Sequence, residues 1–121
     1  MRIGRKITGG KYHKARKKKR YEIDRQPRIV KLGEERKRSI KTLGGHSKTV
    51  LLSANTAYVI NKKTGKAKKA KITNVIETPN NKFLAKQNII TKGAIVETDI
   101  GKARVTSRPS QSGMVQAVLI E

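Results

Sequence analysis

The stretch TDIGKARVTS, residues 98–107, carries the pattern on which the fold prediction rests. A polar turn ends in Gly101, as hairpins with a left-handed glycine do. The side chains after it alternate, with Lys102, Arg104, Thr106 and Arg108 on one side and Ala103, Val105 and Ser107 on the other. Because successive strand residues point to opposite faces, one face can be buried and the other is cationic. The cationic face is either an ordinary solvated surface or a binding surface.

Segments of the same kind surround this stretch. Short runs rich in β-branched residues and bounded by turn residues occur at 47–53, 56–60, 72–78, 94–98, 102–107 and 114–120. A second polar turn with glycine lies at 61–66, and the glycine pair 44–45 predicts a further hairpin. Six or seven such strands predict a mainly β fold, a small antiparallel six- to seven-stranded barrel.

One segment has a helical pattern. NNKFLAKQN, residues 80–88, follows Pro79, offers Asn80 or Asn81 as a cap and contains good helix formers. The sequence therefore predicts a single short helix beside the strands.

Charge is distributed unevenly along the 121 residues. The chain has 30 basic and 8 acidic side chains, for a net charge of +22, and residues 1–20 hold ten Lys and Arg with no acid. Of the 28 Ile, Val, Leu and Phe residues, 20 follow position 48. We therefore predict a basic, intrinsically disordered extension at 1–26 and a β-barrel core at 27–121. Self-repulsion of this size disfavours a compact state unless a polyanion neutralises the charge.

Nucleic acid is the favoured polyanion, because neutralising phosphates releases condensed counterions. An anionic membrane favours an amphipathic helix with large apolar side chains, whereas this chain has no Trp and Phe83 as its single Phe. The run KKKR, 17–20, also matches a nuclear-localisation pattern, which arises by chance in so basic a chain. The absence of cysteine excludes disulfides and thiolate metal sites within it.

Catalysis is weakly indicated. Neither His13 nor His46 has a carboxylate nearby in sequence, and no phosphate-binding glycine loop is present. Glu97 and Asp99 are two apart on a strand, so they could form an acid/base or metal pair, or simply salt bridges within the chain. We predict a protein that is not an enzyme, with no cofactor, no metal and no small-molecule substrate.

These patterns predict phosphate-led RNA binding by the extension and by parts of the core. Tyr12, Tyr21 and His13 could stack on unpaired bases, and Gly9 and Gly10 allow a close backbone approach. Lysines fall on both faces of 61–71, so we expect that arm to project. The predicted RNA-binding residues are Arg2, Arg5, Lys6, Thr8, Gly9, Gly10, Lys11, Tyr12, His13, Lys14, Arg16, Lys17, Lys18, Lys19, Arg20, Arg25, Lys62, Lys63, Lys66, Lys68, Lys69, Lys102, Arg104 and Arg108.

The chain also resembles a known family nearly from end to end. It is similar to small-subunit ribosomal protein eight of the archaeal–eukaryotic series, in a lean form typical of archaea. The segments that carry the resemblance are RKITGG (5–10), KARKKKRYE (14–22), RQP (25–27), LGGHSKTVLLSANTAYV (43–59), KTGKAKKAKITNVIETPNN (63–81) and NIITKGAIVETDIGKARVTSRPSQSGMVQAVLIE (88–121).

The resemblance implies a structural constituent of the small ribosomal subunit, cytoplasmic and located in the ribosome. Its implied partners are 16S-type ribosomal RNA and neighbouring small-subunit proteins, with the extension threading between rRNA helices. The residues alone leave three other functions open: a DNA-compacting chromatin protein, a non-ribosomal RNA-binding factor and an rRNA-processing enzyme.

Overall fold

The computed structural model describes residues 4–13, 15–24 and 26–120. Within them lie eight strands, one α-helix and a short 3-10 helix at Leu43–Gly45. The strands are β1 (Lys31–Leu32), β2 (Arg36–Lys41), β3 (Ser47–Ala54), β4 (Thr56–Ile60), β5 (Ala67–Glu77), β6 (Ile95–Thr98), β7 (Gly101–Val105) and β8 (Gln116–Leu119). The helix, α1, is Lys82–Lys86. It is not long and apolar enough to cross a membrane.

Five strands, β4 to β8, form a closed barrel, and the other three form a sheet in the order β1-β3-β2. The mainly β class, the barrel and the single short α-helix are confirmed. The barrel has five strands rather than six or seven, and β4 and β8 close it as a parallel pair within an otherwise antiparallel wall. Periodicity and turn residues identify strands and hairpins, but they do not specify which strands distant in sequence meet.

The barrel interior consists of small side chains. Ala57, Ala70, Ala103 and Ala117 are at most 2% exposed. Valines such as Val96 fill the space between them. A five-stranded barrel is narrow, so its inward positions favour small residues.

The three-stranded sheet shares its core with the barrel. Val30 and Leu51 belong to the same buried cluster as the barrel residues. The Leu51 N–H donates to the Pro109 carbonyl at 3.3 Å, and the Ile90 N–H donates to the Val30 carbonyl at 2.8 Å. Residues 30–120 therefore form a single packed unit.

The predicted turns are present, and so is the predicted helix. Gly44 and Gly45 have φ of +76° and +77° between β2 and β3, which glycine adopts without a steric cost. Gly65 has φ of +66° between β4 and β5. Helix α1 begins after Asn81, whose side-chain oxygen accepts from the Phe83 N–H at 3.0 Å, as an N-cap residue does.

Candidate nucleic-acid interface

The first part of the extension closes into a small loop. Arg5 and Lys11 form an isolated bridge, and the Gly9 N–H donates to the Lys6 carbonyl at 2.9 Å. Gly9 has φ of +77°, and the Arg5 side chain donates to its carbonyl at 3.0 Å. The predicted residues Thr8 and Gly10 lie in this loop. Backbone groups and cationic side chains are therefore close together there.

A second loop in the extension is held by an acid. Glu22 accepts two hydrogen bonds from the Arg16 guanidinium, at 2.6 and 2.9 Å, and one from the Lys19 N–H at 2.9 Å. The Arg16 guanidinium and then the Lys19 N–H hold the pKa of the exposed Glu22 carboxyl below its ordinary value. Arg16 is therefore paired with Glu22 in the free protein, while Lys17 and Arg20 beside it are exposed.

Both tyrosines of the extension are close to lysine. The Lys6 ammonium lies 5.7 Å from the centre of the Tyr12 ring, and that of Lys19 lies 5.9 Å from the Tyr21 ring. The rings are 52% and 78% exposed, so neither is packed on the barrel. Each pair combines a ring that can stack on a base with a cation. His13 is also exposed.

Three of the predicted residues, Arg2, Lys14 and Arg25, lie outside the described residues. The division of the chain at 26/27 stays a prediction.

The lysine-rich arm differs from the expectation. Only the turn projects, where the Asn61 N–H donates to the Lys66 carbonyl at 3.1 Å and Lys62 and Lys63 lie between them. Lys68 and Lys69 belong to β5 and pair with β4. They are part of the barrel wall because Ala70 and Ile72, further along β5, supply buried positions that anchor it.

The predicted alternation along β7 is observed. Lys102 and Arg104 are exposed, and Ala103 and Val105 are buried. Arg104 lies opposite Ile95 of β6 and Val118 of β8. The cationic side chain therefore lies between two aliphatic side chains on the outer surface of the barrel.

A cleft of about 940 Å³ crosses this surface, and we call it the apolar cleft. Its walls are mainly aliphatic, with cations among them. The residues that define it are Lys62, Lys92, Ile95, Arg104, Val118 and Ile120. Among the described residues no acid lines it, so the described lining suits a ligand that is both apolar and anionic.

A second cleft of about 560 Å³, here the polar cleft, lies at the end of β7. Its defining residues are Lys48, Lys92, Thr106, Ser107, Arg108 and Ser112. The Lys48 ammonium donates to the Gln111 side-chain oxygen. The Ser112 hydroxyl donates to the Arg108 carbonyl at 2.9 Å. These bonds order the 108–112 loop around a cationic, hydroxyl-rich cleft.

Some of these cations were missed in the sequence. Lys48 and Lys92 lie far apart in the chain and flank no basic run, so no local sequence pattern predicted that they belong to this surface. The exposed basic residues of β2 were also missed, although the run RKRSIK at 36–41 was a visible signal. They extend the cationic surface from the barrel to the sheet.

Acidic residues neutralise little of the positive charge on the barrel. The ion pairs among the described residues are Arg16–Glu22, Lys18–Asp24 and Lys37–Glu35, all before β3. Lys37 beside Glu35 lowers the pKa of that exposed carboxyl, and Lys69 contributes to the same direction. Within the described ranges, Arg104 therefore faces solvent with no acid in an ion pair, whereas Lys102 lies opposite Glu97 of β6 without forming an ion pair.

Glu97 and Asp99 are not brought together as a metal or acid/base pair. Asp99 accepts from the Lys71 backbone N–H at 3.0 Å, whereas Glu97 lies opposite Asn74 and Lys102 in the wall. Neither forms an ion pair with a described residue. Residues 4–13, 15–24 and 26–120 contain no group of three or more His, Cys, Asp or Glu that could hold a metal.

Comparison with known proteins identifies the family. A family model described as Ribosomal protein S8e matches residues 1–120. The chain is 47% identical over 117 residues to the small ribosomal subunit protein eS8 of Methanocorpusculum labreanum, covering 97% of this chain and 94% of that protein. It is 44% identical, with the same coverage, to the protein of that name from Methanosphaerula palustris. The chain therefore belongs to the ribosomal protein S8e family, as the resemblance of its sequence indicated.

Proposed function

We propose that this chain is a structural component of the small ribosomal subunit and binds 16S-type rRNA with two surfaces. One is the basic extension, residues 1–26, and the other is the cationic outer surface of the barrel around β7 and the β4–β5 turn. Its place is in the ribosome, in the cytoplasm, beside other small-subunit proteins. Its role is architectural: it neutralises phosphate repulsion and fixes how rRNA helices pack during assembly.

The observation that carries the proposal is the uncompensated charge. Arg104 and Arg108 are exposed on the barrel, and no described acid forms an ion pair with either of them. An array of fixed cations raises the local concentration of a polyanion and is stabilised by it. The family membership and the names of the two relatives support the ribosome as the place where this occurs.

The extension and the barrel contribute in different ways. The extension has no strand or helix within 4–13 and 15–24, so it orders further on binding, and counterion release offsets the entropy of ordering. The barrel surface is held by a packed core and needs no ordering. The names of the two relatives, both small ribosomal subunit proteins, support a role that is not enzymatic.

Salt dependence tests this proposal directly. If about six to ten phosphates are bound, affinity for a 16S-type rRNA fragment falls by about three to five decades between 50 and 200 mM salt, on the scaling for duplex DNA. Filter binding across a salt series measures the slope. An affinity insensitive to salt contradicts the proposal.

Deleting residues 1–24, which removes ten Lys and Arg, tests the two surfaces separately. We expect a folded barrel that binds rRNA much more weakly, with the salt slope reduced by about 0.7–0.9 for each phosphate that is no longer bound. The double variant Lys82→Gln/Lys86→Gln changes charge on α1, away from both clefts, and is expected to bind nearly as the parent chain does. If the deletion unfolds the barrel, the division at 26/27 is wrong.

Competition separates the remaining alternatives. A DNA-compacting protein binds duplex DNA as tightly as structured rRNA, and a non-ribosomal factor does not distinguish 16S-type rRNA from an unrelated folded RNA. We expect the rRNA fragment to outcompete both.

A further inference from the structure

The apolar and polar clefts adjoin, since Lys92 and Thr106 line both of them. We propose that together they bind one unpaired nucleotide segment of RNA: an extruded base enters the apolar cleft, and the phosphates that flank it lie in the polar cleft. This inference rests on the proposed function, because it names the form of RNA that the barrel surface takes.

The apolar cleft suits a base. Its volume of about 940 Å³ lies within the range of about 300–1,000 Å³ that encloses a small ligand. Arg104 lies between Ile95 and Val118 in the strand register. A guanidinium plane can stack on an unstacked base, and the aliphatic side chains beside it can cover the base's apolar edges. Lysine at this position could supply charge but no stacking plane.

The polar cleft suits a sugar-phosphate. Lys48, Lys92 and Arg108 supply three cations, and a planar guanidinium can bind phosphate through two hydrogen bonds. The hydroxyls of Thr106, Ser107 and Ser112 line the same space. They donate to backbone carbonyls of the chain, so they order the wall of the cleft while the cations bind the phosphate. The Gln111 N–H and the Ser112 N–H both donate to the Arg108 carbonyl at 2.9 Å. The loop is therefore ordered before RNA arrives.

The combination of the two clefts favours an unpaired strand over a duplex. In a duplex the faces of the bases are stacked inside, so the groups that reach the protein are phosphates, ribose hydroxyls and base edges, and an aliphatic cleft gains little from these polar groups. An unpaired nucleotide can splay its base away from its phosphate, which matches an apolar cleft next to a cationic one. An acidic, aliphatic peptide could also enter the apolar cleft, but it has no flat ring to stack on the Arg104 guanidinium.

The test uses the full chain and a short single-stranded oligoribonucleotide that carries a central fluorescent adenine analogue. Binding is expected to change the fluorescence of the analogue, because its base leaves solvent and stacks on Arg104. The substitution Arg104→Lys keeps the charge and removes the guanidinium plane. We expect it to weaken single-strand binding about 5- to 150-fold, the range for loss of one stacked base, and to abolish the fluorescence change.

One control and one further variant accompany Arg104→Lys. Arg28→Lys makes the same substitution at an exposed position before β1, outside both clefts, and is expected to leave single-strand affinity and fluorescence unchanged. Lys92→Gln is expected to reduce the salt slope by about one, as removal of a phosphate-binding lysine does. Circular dichroism checks that each variant retains the fold. We expect this result because the substituted side chains are exposed.

Three results would overturn the inference. They are an unchanged single-strand affinity and fluorescence in Arg104→Lys, an equal loss of affinity for duplex RNA, and displacement of the oligonucleotide by an acidic aliphatic peptide that binds more tightly. If any of them occurs while the affinity of the parent chain for folded rRNA still falls steeply with salt, only this inference is wrong. If rRNA binding itself has no salt dependence, the proposed function fails.

Discussion

The barrel and the extension place the same residue type in opposite environments. Ile72 of β5 is 2% exposed inside the barrel, whereas Ile7 in the first loop of the extension is fully exposed. Both have basic neighbours, since Lys71 precedes Ile72 and Lys6 precedes Ile7. An isoleucine is buried only where other strands close around it, and β5 has β4 on one side and β6 on the other. Closure, rather than local hydrophobicity, distinguishes the two regions.

Truncating these two isoleucines should give the largest difference in stability. Ile72→Ala is expected to lower the free energy of unfolding by about 2–5 kcal/mol, because it removes buried methylenes and leaves a cavity. Ile7→Ala is expected to change it by less than about 0.5 kcal/mol. Urea unfolding followed by circular dichroism measures both.

Comparable losses in the two variants would mean that the extension packs on the barrel in solution. In that case Ile7 would be buried as Ile72 is, and closure of the strands would not distinguish the barrel from the extension.

A buried hydroxyl gives a smaller effect. Thr78 is fully buried where β5 leads to α1. Its oxygen accepts from the Ala85 N–H at 3.1 Å and donates to the Asn81 carbonyl at 2.5 Å. Thr78→Val leaves those groups without a partner, so we expect a loss of about 1–3 kcal/mol in the free energy of unfolding.

Thr73→Val, within β5, is the matched substitution. The exposed Thr73 hydroxyl donates to the Glu97 carbonyl at 3.1 Å, and water can replace that bond. We expect a change within about 0.5 kcal/mol. If Thr73→Val proves as costly as Thr78→Val, burial is not the cause of the difference.

The extension's own order should depend on pH without affecting the barrel. Because Arg16 and the Lys19 N–H lower the pKa of Glu22 from its ordinary value of 4.5, their contribution to the loop is complete above that value. It is lost as pH falls through the lower pKa of the folded loop. The carboxyl carbon shift of Glu22, followed by NMR, is expected to titrate with a midpoint below 4.5.

Arg16→Gln should raise that midpoint towards the ordinary value, while Lys17→Gln, next in the chain, should leave it nearly unchanged. A Glu22 midpoint that ignores Arg16 would show that the loop is held by something else. Barrel stability is expected to be the same in both variants.

Much of the barrel was predictable because its determinants are local. The alternation at 102–105 follows from the two-residue period of a strand, and the turns at Gly44 and Gly65 follow from the freedom of glycine at positive φ. The helix start at Asn81 follows from capping chemistry. The lysine arm was misjudged, because Lys68 and Lys69 were considered by their charge, whereas the buried Ala70 and Ile72 decide the position of β5.

The binding surface was predictable only in part. Arg104 and Arg108 could be recognised from one strand and its continuation. Lys48 and Lys92 could not, since their relation to Arg108 exists only after β3 and the segment before β6 pack beside the 108–112 loop. Likewise, the aliphatic flanks of Arg104 come from two other strands.

The sequence by itself determined the class of the protein: its net charge, its strand and turn periodicity and its family segments all depend on residues near one another in the chain. The tertiary structure decided the parallel closure of β4 against β8, the separate sheet and the two adjoining clefts. The physical reason is that these features arise from contacts between segments far apart in sequence. Their free energy depends on how side chains of different strands fit together, which a local pattern does not contain.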